Sequence, residues 1–419
     1  MKFVHAADLH IDSPLRGLDR YEGAPVARLR GATRRALENL VALCIEERVS
    51  FLLLAGDVFD GNWKDFSTGL FFAAQMTRLR EAGIPVVLVR GNHDAASSVT
   101  KNLRLPDNVR ELSPKKPQTI DLVDASVCVH GQSFAQRITT EDLALRYPDA
   151  NRAVFNIGLL HTSLDGREGH EPYAPTTFDV LKGKGYDYWA LGHVHAREVL
   201  AREPWVVFPG NLQGRHARET GPKGASLVTV EDGAVREVEH RALDVVRWEQ
   251  LSVDASAASD PLDVVDLVRA KLIEAAASAE ERVLAARVVV SGSTKANGAI
   301  RRDVERFVNE LRAAATDGLG DGVWLEKVKV ETRSVFDADR VRSEPNAVGH
   351  LARRLAAIKA DPKELEELAS IFAELDKKLP AELREGEGAL SLIDPDVLRS
   401  FVDDVEETLI PRLLETREG

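Results

Sequence analysis

The sequence predicts an α/β protein whose core is two layers of β-sheet flanked by helices, followed by a small α+β domain and a helical C-terminal segment. Strand and helix patterns alternate from residue 2 to residue 94, strand patterns then dominate to about residue 245, and helical patterns dominate after residue 346. Because 419 residues exceed one core of typical size, we expect separate regions. Their expected boundaries are 1–245 for the core, 246–333 for the α+β domain, 334–346 for a linker and 347–419 for the helical region.

In the first part of the core, three apolar strand patterns are separated by two amphipathic helix patterns. The predicted strands are Lys2–Ala7, Phe51–Ala55 and Ile84–Arg90, and the predicted helices are Pro25–Glu47 and Asp65–Ala82. This alternation is typical of a mostly parallel sheet, which binds ligands beyond the carboxyl ends of its strands. Polar residues suited to binding a ligand follow each of the three strands.

The second part of the core is richer in strands. Five strand patterns lie at 119–124, 126–130, 155–160, 186–191 and 205–208. Two more, at 225–230 and 234–240, predict a hairpin around Asp232-Gly233. The third pattern runs into His161 and the fourth into Gly192-His193-Val194-His195. Two packed sheets with helices outside fit this order of elements.

The composition is that of a globular protein, with 44% hydrophobic and 29% charged residues. No apolar run is long enough to span a membrane, and Met1–Val4 leads into a strand pattern, so we expect no signal peptide and a cytoplasmic location. Cys44 and Cys128 both lie in apolar patterns, which fits a reducing compartment. The net charge of −12 neither indicates nor excludes nucleic-acid binding, because a nuclease needs only a local basic groove.

Eight residues suited to binding metal ions or moving a proton follow the predicted strands: Asp8, His10, Asp57, Asn92, His93, His161, His193 and His195. In extended backbone, residues two apart point to the same side, so each Asp-x-His or His-x-His pair can bind one ion. Asp57 is placed to bridge two ions. Carboxylate, amide and imidazole ligands favour manganese, iron or zinc over calcium. Two ions about 3.5 to 4 Å apart can activate a hydroxide and stabilise the attacked phosphorus, so the pattern predicts a phosphoester hydrolase.

Each of these residues also has an ordinary structural interpretation. A single histidine can be a buried polar or surface residue, Asp8 and Asp57 can cap helices that follow strands, and the Gly-Asn and Gly-His sequences can be simple turns. The metal-site interpretation depends on all eight residues occurring at strand ends in this order.

Five segments resemble the signature of the calcineurin-like metallophosphoesterase superfamily: Asp8-Leu9-His10, Gly56-Asp57-Val58-Phe59-Asp60, Gly91-Asn92-His93-Asp94, His161 and Gly192-His193-Val194-His195. Within it, the opening segment Phe3–Asp12 and the segment Gly56–Asp60 resemble the SbcD-type DNA repair nucleases. The segments Pro209–His216 and Glu219–Gly224 resemble the bacterial YhaO branch. The resemblance covers residues 1 to about 240, and beyond them only the domain order carries over.

The resemblance implies the metallophosphoesterase fold with two bound divalent ions. Manganese is the ion expected first, with iron, zinc and magnesium as alternatives. The implied ligands of the first ion are Asp8, His10 and His195, those of the second are Asn92, His161 and His193, and the implied bridge is Asp57.

The resemblance also implies roles for the residues around His93. His93 would face the substrate phosphate as transition-state stabiliser or general acid, with Asp94 orienting its ring. Eukaryotic and archaeal relatives carry a histidine where this chain has Asp60, so the role of that histidine does not transfer. Asp60 is either a partner of the metal ligands or only the end of the strand.

Two segments near the expected site are candidates for substrate contact. The loop Thr162–Pro175 follows a metal ligand and contains Arg167, Glu168, His170 and Tyr173. The other is a basic cluster, which suits DNA phosphates and consists of Arg215, His216, Arg218 and Lys223. An ordinary surface loop is the alternative for each.

After residue 245 the patterns predict strand, helix, strand, helix and strand at 248–253, 261–275, 283–291, 299–314 and 323–332. SbcD-like nucleases place a DNA-contacting cap domain at this position. A packing or dimerisation domain is the alternative.

The C-terminal region carries helical patterns at 348–360, 363–375 and 397–409, after an irregular, charged segment at 334–346. Asp361-Pro362 and Asp394-Pro395 predict the starts of two of these helices. Relatives use this region to bind a coiled-coil ATPase of the SbcC type, and a self-packed helical bundle is the alternative. SbcD-like nucleases also dimerise through core helices, for which Pro25–Glu47 is the candidate.

Together these patterns predict a cytoplasmic, metal-dependent DNA exonuclease, with endonuclease activity also considered, that acts in DNA repair with an SbcC-like SMC ATPase. One alternative is a phosphodiesterase or phosphatase of the same fold that acts on another substrate. The other is a binding scaffold without turnover. His93 argues against the scaffold, because binding alone needs no proton donor.

Overall fold

The computed structural model describes residues 1–13, 29, 31–60, 66–96, 103–164, 173–335, 338–380 and 390–418. The chain divides into two compact units. The first contains Met1–Gln250, Ala275–Arg287 and Asp321–Glu326, and the second contains Leu251–Glu274, Val288–Gly320 and Lys327–Gly419. Residues 246–333 therefore contribute to both units, and the domain boundaries expected from the sequence stay predictions.

Two six-stranded sheets form the core of the first unit. Their strands, in chain order, are β1 (Lys2–Ala6), β2 (Phe51–Ala55), β3 (Val86–Val89), β4 (Val109–Glu111), β5 (Gln118–Leu122), β6 (Val127–Gly131), β7 (Phe155–His161), β8 (Tyr188–Gly192), β9 (Glu198–Arg202), β10 (Trp205–Phe208), β11 (Gly224–Glu231) and β12 (Ala234–Ala242). The first sheet has the order β12-β11-β1-β2-β3-β4 and the second β5-β6-β7-β8-β10-β9. Strands β1 to β4 pair in parallel, as do β6, β7, β8 and β10, so their carboxyl ends lie on one side.

Apolar side chains from both sheets form the layer between them, with Phe3 and Leu53 from the first sheet and Ile157 and Tyr188 from the second. The other face of the first sheet packs against helices α1 (Ala32–Glu46) and α2 (Phe66–Glu81). The other face of the second sheet carries a further apolar cluster that includes residues of α4 (Phe178–Gly183), and α3 (Asn92–Ala96) follows β3. The predicted α/β class with two sheet layers flanked by helices is confirmed.

The two core helices lie where the sequence predicted them. Helix α1 corresponds to the predicted helix Pro25–Glu47. The predicted start of that helix lies outside the described residues. The Asp65–Ala82 prediction corresponds to α2, with Asp65 itself outside the described part of the chain.

The chain after residue 245 begins with a three-stranded sheet in the order β13 (Val246–Asp254), β14 (Val283–Thr294), β15 (Val323–Ser334). Its helices are α5 (Pro261–Ser278), α6 (Asn297–Arg302) and α7 (Val304–Leu319). The single helix predicted at 299–314 is therefore wrong. Asp303 interrupts it, because its backbone leaves the helical region at φ −151° and its carboxylate accepts a hydrogen bond of 2.9 Å from the Arg306 N–H.

The C-terminal helices are α8 (Ala338–Ser343), α9 (Ala347–Ala360), α10 (Pro362–Asp376) and α11 (Pro395–Glu418). Helix α8 lies inside the segment expected to be irregular. The two predicted Asp-Pro helix starts are confirmed, since the Asp361 carboxylate accepts from the Lys363 N–H at 2.9 Å and that of Asp394 from the Asp396 N–H at 2.8 Å. Among the residues that the structure describes, no helix has the length and apolar character needed to cross a membrane.

One buried histidine makes the stability of the first unit sensitive to pH. His5 lies between the sheets, where burial lowers its pKa from 6.5 to about 3. Below pH 6.5, His5 binds a proton in the unfolded chain but stays neutral in the folded chain. The free energy of unfolding is therefore highest above this pH and falls as the pH decreases. In EDTA, the wild type is expected to lose about 1 kcal/mol more than His5→Gln between pH 7.5 and pH 5.5.

Urea unfolding curves at the two pH values measure this difference. His350→Gln, at an exposed position of α9, is the matched control and is expected to keep the wild-type pH dependence. Equal losses in the wild type and His5→Gln would show that His5 does not carry this part of the pH dependence.

Candidate metal centre

Backbone hydrogen bonds join the loop after β1 to the loop after β2. The Asp8 N–H donates to the Gly56 carbonyl at 3.0 Å, and the His10 N–H donates to the Asp57 carbonyl at 3.0 Å. Because β1 and β2 are neighbouring parallel strands, these loops leave the sheet side by side. The topology thus brings three of the predicted ligands together.

The backbone conformation at these ligands differs from the extended one that the sequence suggested. Asp8, His10, Asp57 and His193 have φ values of +51°, +43°, +53° and +104°. Non-glycine residues rarely adopt this left-handed region, and strained backbone of this kind clusters at functional sites. The side chains converge because the chain turns sharply at each strand end.

Asp8, His10 and His195, the ligands expected for the first ion, form one half of the site. The Nε2 atoms of His10 and His195 lie 3.3 Å apart, and Asp8 Oδ1 lies 3.8 Å from His195 Nε2. The ligand atoms of the three residues all lie within 4.8 Å of one another. This spacing suits the binding of one cation by all three residues.

Asn92 and His161 form the other half, and Asp57 lies between the two halves. His161 Nε2 is 3.0 Å from Asn92 Oδ1 and 3.4 Å from Asp57 Oδ2. The same Asp57 oxygen is 3.9 Å from His10 Nε2, as a bridging ligand requires. The His193 ring packs edge-on against the His161 ring with centroids 5.2 Å apart.

Each of three histidine rings turns its Nδ1 atom toward an oxygen acceptor. His161 Nδ1 donates to the Ala55 carbonyl at 2.8 Å, His10 Nδ1 to Asp60 at 2.7 Å, and His195 Nδ1 to Glu219 at 2.6 Å. A ring that donates from Nδ1 presents the lone pair of Nε2 to a metal ion, and such partners orient metal-binding histidines. The Nε2 atoms of all three rings face the site.

The charges around His161 fit a bound cation. Burial lowers the pKa of His161, but the Asp57 carboxylate outweighs burial and raises this pKa to about 9. Both nitrogens of this buried ring face oxygen atoms, so the ring needs either a second proton or a cation at Nε2. Burial and the nearby Arg215 hold the pKa of His10 below its ordinary value, which keeps His10 in the neutral form that binds metals. The residues therefore fit divalent ions.

Two glycines make room for this arrangement. Gly91 lies so close to the site that a Cβ atom there would overlap Asp57 Oδ1 and would lie 2.8 Å from His161 Nε2. Gly56 has φ +90°, and a Cβ atom there would lie 2.5 Å from His161 Nδ1. These positions require glycine because of close approach and backbone conformation.

His93 is the more exposed histidine of the site, with a side chain 37% exposed, whereas that of His10 is 1% exposed. Its Nδ1 atom lies 3.2 Å from Asp60 Oδ1, and its backbone N–H donates to Asp57 Oδ1 at 2.9 Å. This exposure suits a group that faces a substrate.

Asp94 holds the backbone of the site. Its buried carboxylate accepts hydrogen bonds from the N–H groups of Val58, Phe59 and Gly91 at 3.2, 2.9 and 3.1 Å. Burial and the charge of Asp57 raise the pKa of Asp94 to about 7. The Asp60 carboxylate also lies against the His93 ring. The orienting role expected of Asp94 stays a prediction.

The predicted basic cluster divides into inward-facing and exposed residues. Arg215 Nη1 lies 3.9 Å from Asp60 Oδ1, and its Nη2 lies 3.6 Å from Glu219 Oε1. Lys223 is buried and donates to the His195 carbonyl at 3.1 Å, so it supports a ligand. His216 and Arg218 are exposed.

The loop predicted after His161 is described only in part. The Tyr173 ring is buried and packs edge-on against the His193 ring at 5.6 Å between centroids. Arg167, Glu168 and His170 lie outside the described residues.

Glu219 is a site residue that the sequence analysis missed. It lies 24 residues after His195, outside the predicted strands and helices. It begins the segment Glu219–Gly224, which the sequence analysis used only as a resemblance and did not assign to the site. Its Oε2 atom accepts from Asn211 Nδ2 at 3.0 Å and from the Arg215 N–H at 2.7 Å. Burial opposes ionisation, but the hydrogen bond from His195 and the charge of Arg215 hold the pKa of Glu219 below its ordinary value. Glu219 is thus an ionised partner of a predicted ligand.

Glu219→Gln is expected to weaken manganese binding about 10- to 100-fold, because the His195 ring loses its charged partner. Calorimetric titration of the metal-free protein with Mn²⁺ measures the effect. Glu231→Gln, which changes a carboxylate with a side chain 52% exposed, is the matched control. Unchanged affinity in Glu219→Gln would contradict the role of this carboxylate.

The comparisons agree with this geometry. The family model of calcineurin-like phosphoesterases matches residues 1–197. The chain belongs to the calcineurin-like metallophosphoesterase family. A second model, the middle domain of metallophosphoesterase YhaO, matches residues 248–333. The family is one of phosphoesterases that use divalent metal ions, so the resemblance stated from the sequence is confirmed.

Several curated proteins are similar to this chain. It is 39% identical over 272 residues to the uncharacterized metallophosphoesterase YhaO of Bacillus subtilis (strain 168), covering 64% of this chain and 66% of that protein. It is 26% identical over 243 residues to the DNA double-strand break repair protein Mre11 of Sulfurisphaera tokodaii, covering 54% and 59%. For the protein of the same name from Methanopyrus kandleri, the identity is 27% over 294 residues, covering 60% and 61%. The chain thus spans less than two thirds of the length of these relatives.

Proposed function

We propose that this protein is a metal-dependent DNA nuclease that hydrolyses phosphodiester bonds in DNA repair. The observation that carries the proposal is the position of Asp57, whose Oδ2 atom lies 3.4 Å from His161 and 3.9 Å from His10, between two groups of metal-binding side chains. Two divalent ions bound there would activate water and stabilise charge on the phosphate.

The residues of the chain then have distinct tasks. Carboxylates, amide and imidazoles of the two halves hold the ions, and Asp60 and Glu219 fix the rings of His10 and His195. His93, exposed beside these groups, donates a proton to the leaving oxygen. The inward-facing guanidinium of Arg215 attracts a phosphate to the site.

DNA is proposed as the substrate because two of the similar proteins are named DNA double-strand break repair proteins. The exposed His216 and Arg218 border the site and suit the phosphate backbone. A phosphodiesterase or phosphatase that acts on another substrate is the second candidate.

We also propose an SbcC-like SMC ATPase as partner, a homodimer formed through core helices, and a cytoplasmic location. Large apolar side chains remain exposed on the C-terminal helices, including Ile371 at 70% and Leu375 at 53%, and support binding of a partner. Helices α8, α9 and α11 pack on each other through Val341, Ala352 and Ile410, which supports the self-packed bundle as the alternative. The two cysteines are free and buried, which supports a reducing compartment.

Cleavage of end-labelled single- and double-stranded DNA by the purified full chain with Mn²⁺ tests the proposal. Bis(p-nitrophenyl) phosphate is assayed in parallel, and His93→Ala is the control. We expect the wild type to cleave both substrates and the variant to leave the DNA intact. Hydrolysis of the small ester without cleavage of DNA, alone or with the ATPase subunit, would reject DNA and favour the second candidate.

A further inference from the structure

A cavity of about 260 Å³ lies in the first unit beyond the carboxyl ends of β4 and β6. Its walls come from the loops after these two strands and include Pro114, Lys115, Gln132, Phe134, Ile138 and Thr139. Strand β4 pairs in parallel with β3, and β6 pairs in parallel with β7, and the ends of β3 and β7 carry the predicted ligands Asn92 and His161. The cavity therefore lies on the same side of the sheets as the metal centre, one strand or about 5 Å further out in each sheet.

The wall of the cavity also contacts residues of the metal centre. The Arg90 N–H donates to Ser133 Oγ at 3.0 Å, and the Arg90 carbonyl accepts from the Phe134 N–H at 3.1 Å. Arg90 leads into the turn that carries Asn92. The Phe134 ring packs edge-on against the His161 ring, with centroids 5.6 Å apart. A group bound in the cavity would thus be a close neighbour of a phosphate at the metal ions.

Gln132 contributes a buried acceptor to this wall. The residue is 4% exposed, its backbone N–H donates to the Tyr147 hydroxyl at 2.9 Å, and its Nε2 atom donates to the Pro114 carbonyl at 3.3 Å. Within the described part of the chain, its Oε1 atom has no hydrogen-bond partner. Buried acceptors are nearly always paired, and the terminal torsion of a glutamine is broad. A ligand with an N–H group can therefore pair with this oxygen from the cavity.

Positive charge lies at the mouth of the cavity, although the whole chain carries a net charge of −12. Lys115 and Lys116 are exposed, and no carboxylate among the described residues lies within ion-pair distance of either. Arg146, which also lines the cavity, pairs with Glu141 at 2.9 Å. The two lysines therefore remain for an anion, and the phosphates of a nucleic-acid backbone are anions that lysine binds.

We propose that this cavity binds a nucleobase of the DNA strand whose phosphodiester bond lies at the metal centre. The inference rests on the proposed nuclease function and names a site for its substrate. Every base carries an N–H donor on its Watson–Crick edge, which can pair with Gln132 Oε1. Its flat face can pack on Ile138, which is 62% exposed, and the neighbouring phosphates reach Lys115 and Lys116.

The size of the cavity fits one base. Pockets that bind drug-sized ligands measure about 300 to 1,000 Å³, and this cavity is slightly smaller. A base must leave the helical stack before it can enter such a pocket, so the cavity favours unpaired DNA.

Calorimetric titration of the full chain, loaded with Mn²⁺, compares dAMP with 2-deoxyribose 5-phosphate. The two ligands share the sugar and the phosphate, and only dAMP has a base. The wild type is expected to bind dAMP about 10-fold more tightly. Gln132→Leu removes the amide but keeps a side chain of similar size, and it is expected to lower this preference about 5-fold.

Ala135→Trp is a second variant that tests the space instead of the hydrogen bond. Ala135 is exposed and lines the cavity, so an indole at this position fills the space for a base without disturbing the sheets. The variant is expected to lose the preference for dAMP. Ala234→Trp, at an exposed position at the start of β12, is the matched control and is expected to keep the wild-type preference. Thermal unfolding verifies that each variant is folded.

Equal binding of dAMP and 2-deoxyribose 5-phosphate by the wild type, or a full preference for dAMP in both folded cavity variants, would overturn the inference. Cleavage of DNA by the wild type is measured separately on the same preparation. A protein that cleaves DNA without this preference keeps the proposed function and loses the base site. A protein with a preference that depends on Gln132 but without DNA cleavage keeps the base site and loses the proposed function.

Discussion

An Asp57→Asn chain is expected to lose Mn²⁺-dependent phosphodiester hydrolysis by about 10³-fold, because one carboxylate serves both halves of the site. Its side chain is 3% exposed, and its Oδ2 atom faces His161 at 3.4 Å and His10 at 3.9 Å. The asparagine side chain has the same shape as aspartate but lacks the negative charge that would bind two neighbouring cations. The loss of a buried charged partner costs about 3 to 5 kcal/mol, which corresponds to cation binding weaker by a factor between about 10² and 5 × 10³.

Two measurements check this expectation. Calorimetric titration should show about two Mn²⁺ ions bound by the wild type and fewer by Asp57→Asn. The rise in unfolding temperature on addition of Mn²⁺ should be smaller in the variant, because a ligand stabilises only the state that binds it. Asp107→Asn changes a side chain that is 87% exposed and should behave as the wild type. Full Mn²⁺ binding by Asp57→Asn would contradict the bridging role.

The sequence was sufficient to predict this convergence of ligands because strand and ligand are local features. Buried runs such as Phe51–Ala55 indicate parallel strands, and residues that directly follow such strands must lie at one side of the sheet. Asp57 and His161 were therefore predictable from position alone. The left-handed backbone at Asp57 and the close packing around His161 were not predictable. Both depend on tertiary contacts, such as the close approach of Gly91 to the side chains of Asp57 and His161.

The partners of the ligands depend on tertiary structure. Glu219 reaches His195 through a loop that carries no periodic pattern, and Asp60 has two separate contacts that no spacing reveals. The helix predicted at 299–314 was wrong for a related reason. Asp303 ends one helix and caps the next through a single local hydrogen bond, whereas the apolar pattern continues across it. Sequence patterns thus predict which elements form, and side-chain contacts determine how they end and what supports the ligands.

His93→Ala is expected to reduce kcat for DNA about 10²- to 10⁴-fold while the protein keeps its Mn²⁺ ions. The His93 side chain is 37% exposed and contacts Asp60, whereas its contact with Asp57 comes from the backbone N–H, which alanine retains. Removal of the ring therefore removes a proton donor but keeps the hydrogen bond from the backbone N–H of residue 93 to the Asp57 carboxylate. Single-turnover cleavage of labelled DNA and calorimetric titration with Mn²⁺ measure the two quantities on the same preparation.

His93→Ala and Asp57→Asn are expected to differ in the amount of Mn²⁺ that they bind. Both variants should be inactive on DNA, but only Asp57→Asn should lose bound metal, because Asp57 and His93 act at different points of the reaction. The KM for DNA should change little in His93→Ala, since the phosphate-facing Arg215 and the ions remain. If His93→Ala loses Mn²⁺ in parallel with activity, His93 belongs to the metal-binding group and proton donation must come from another residue.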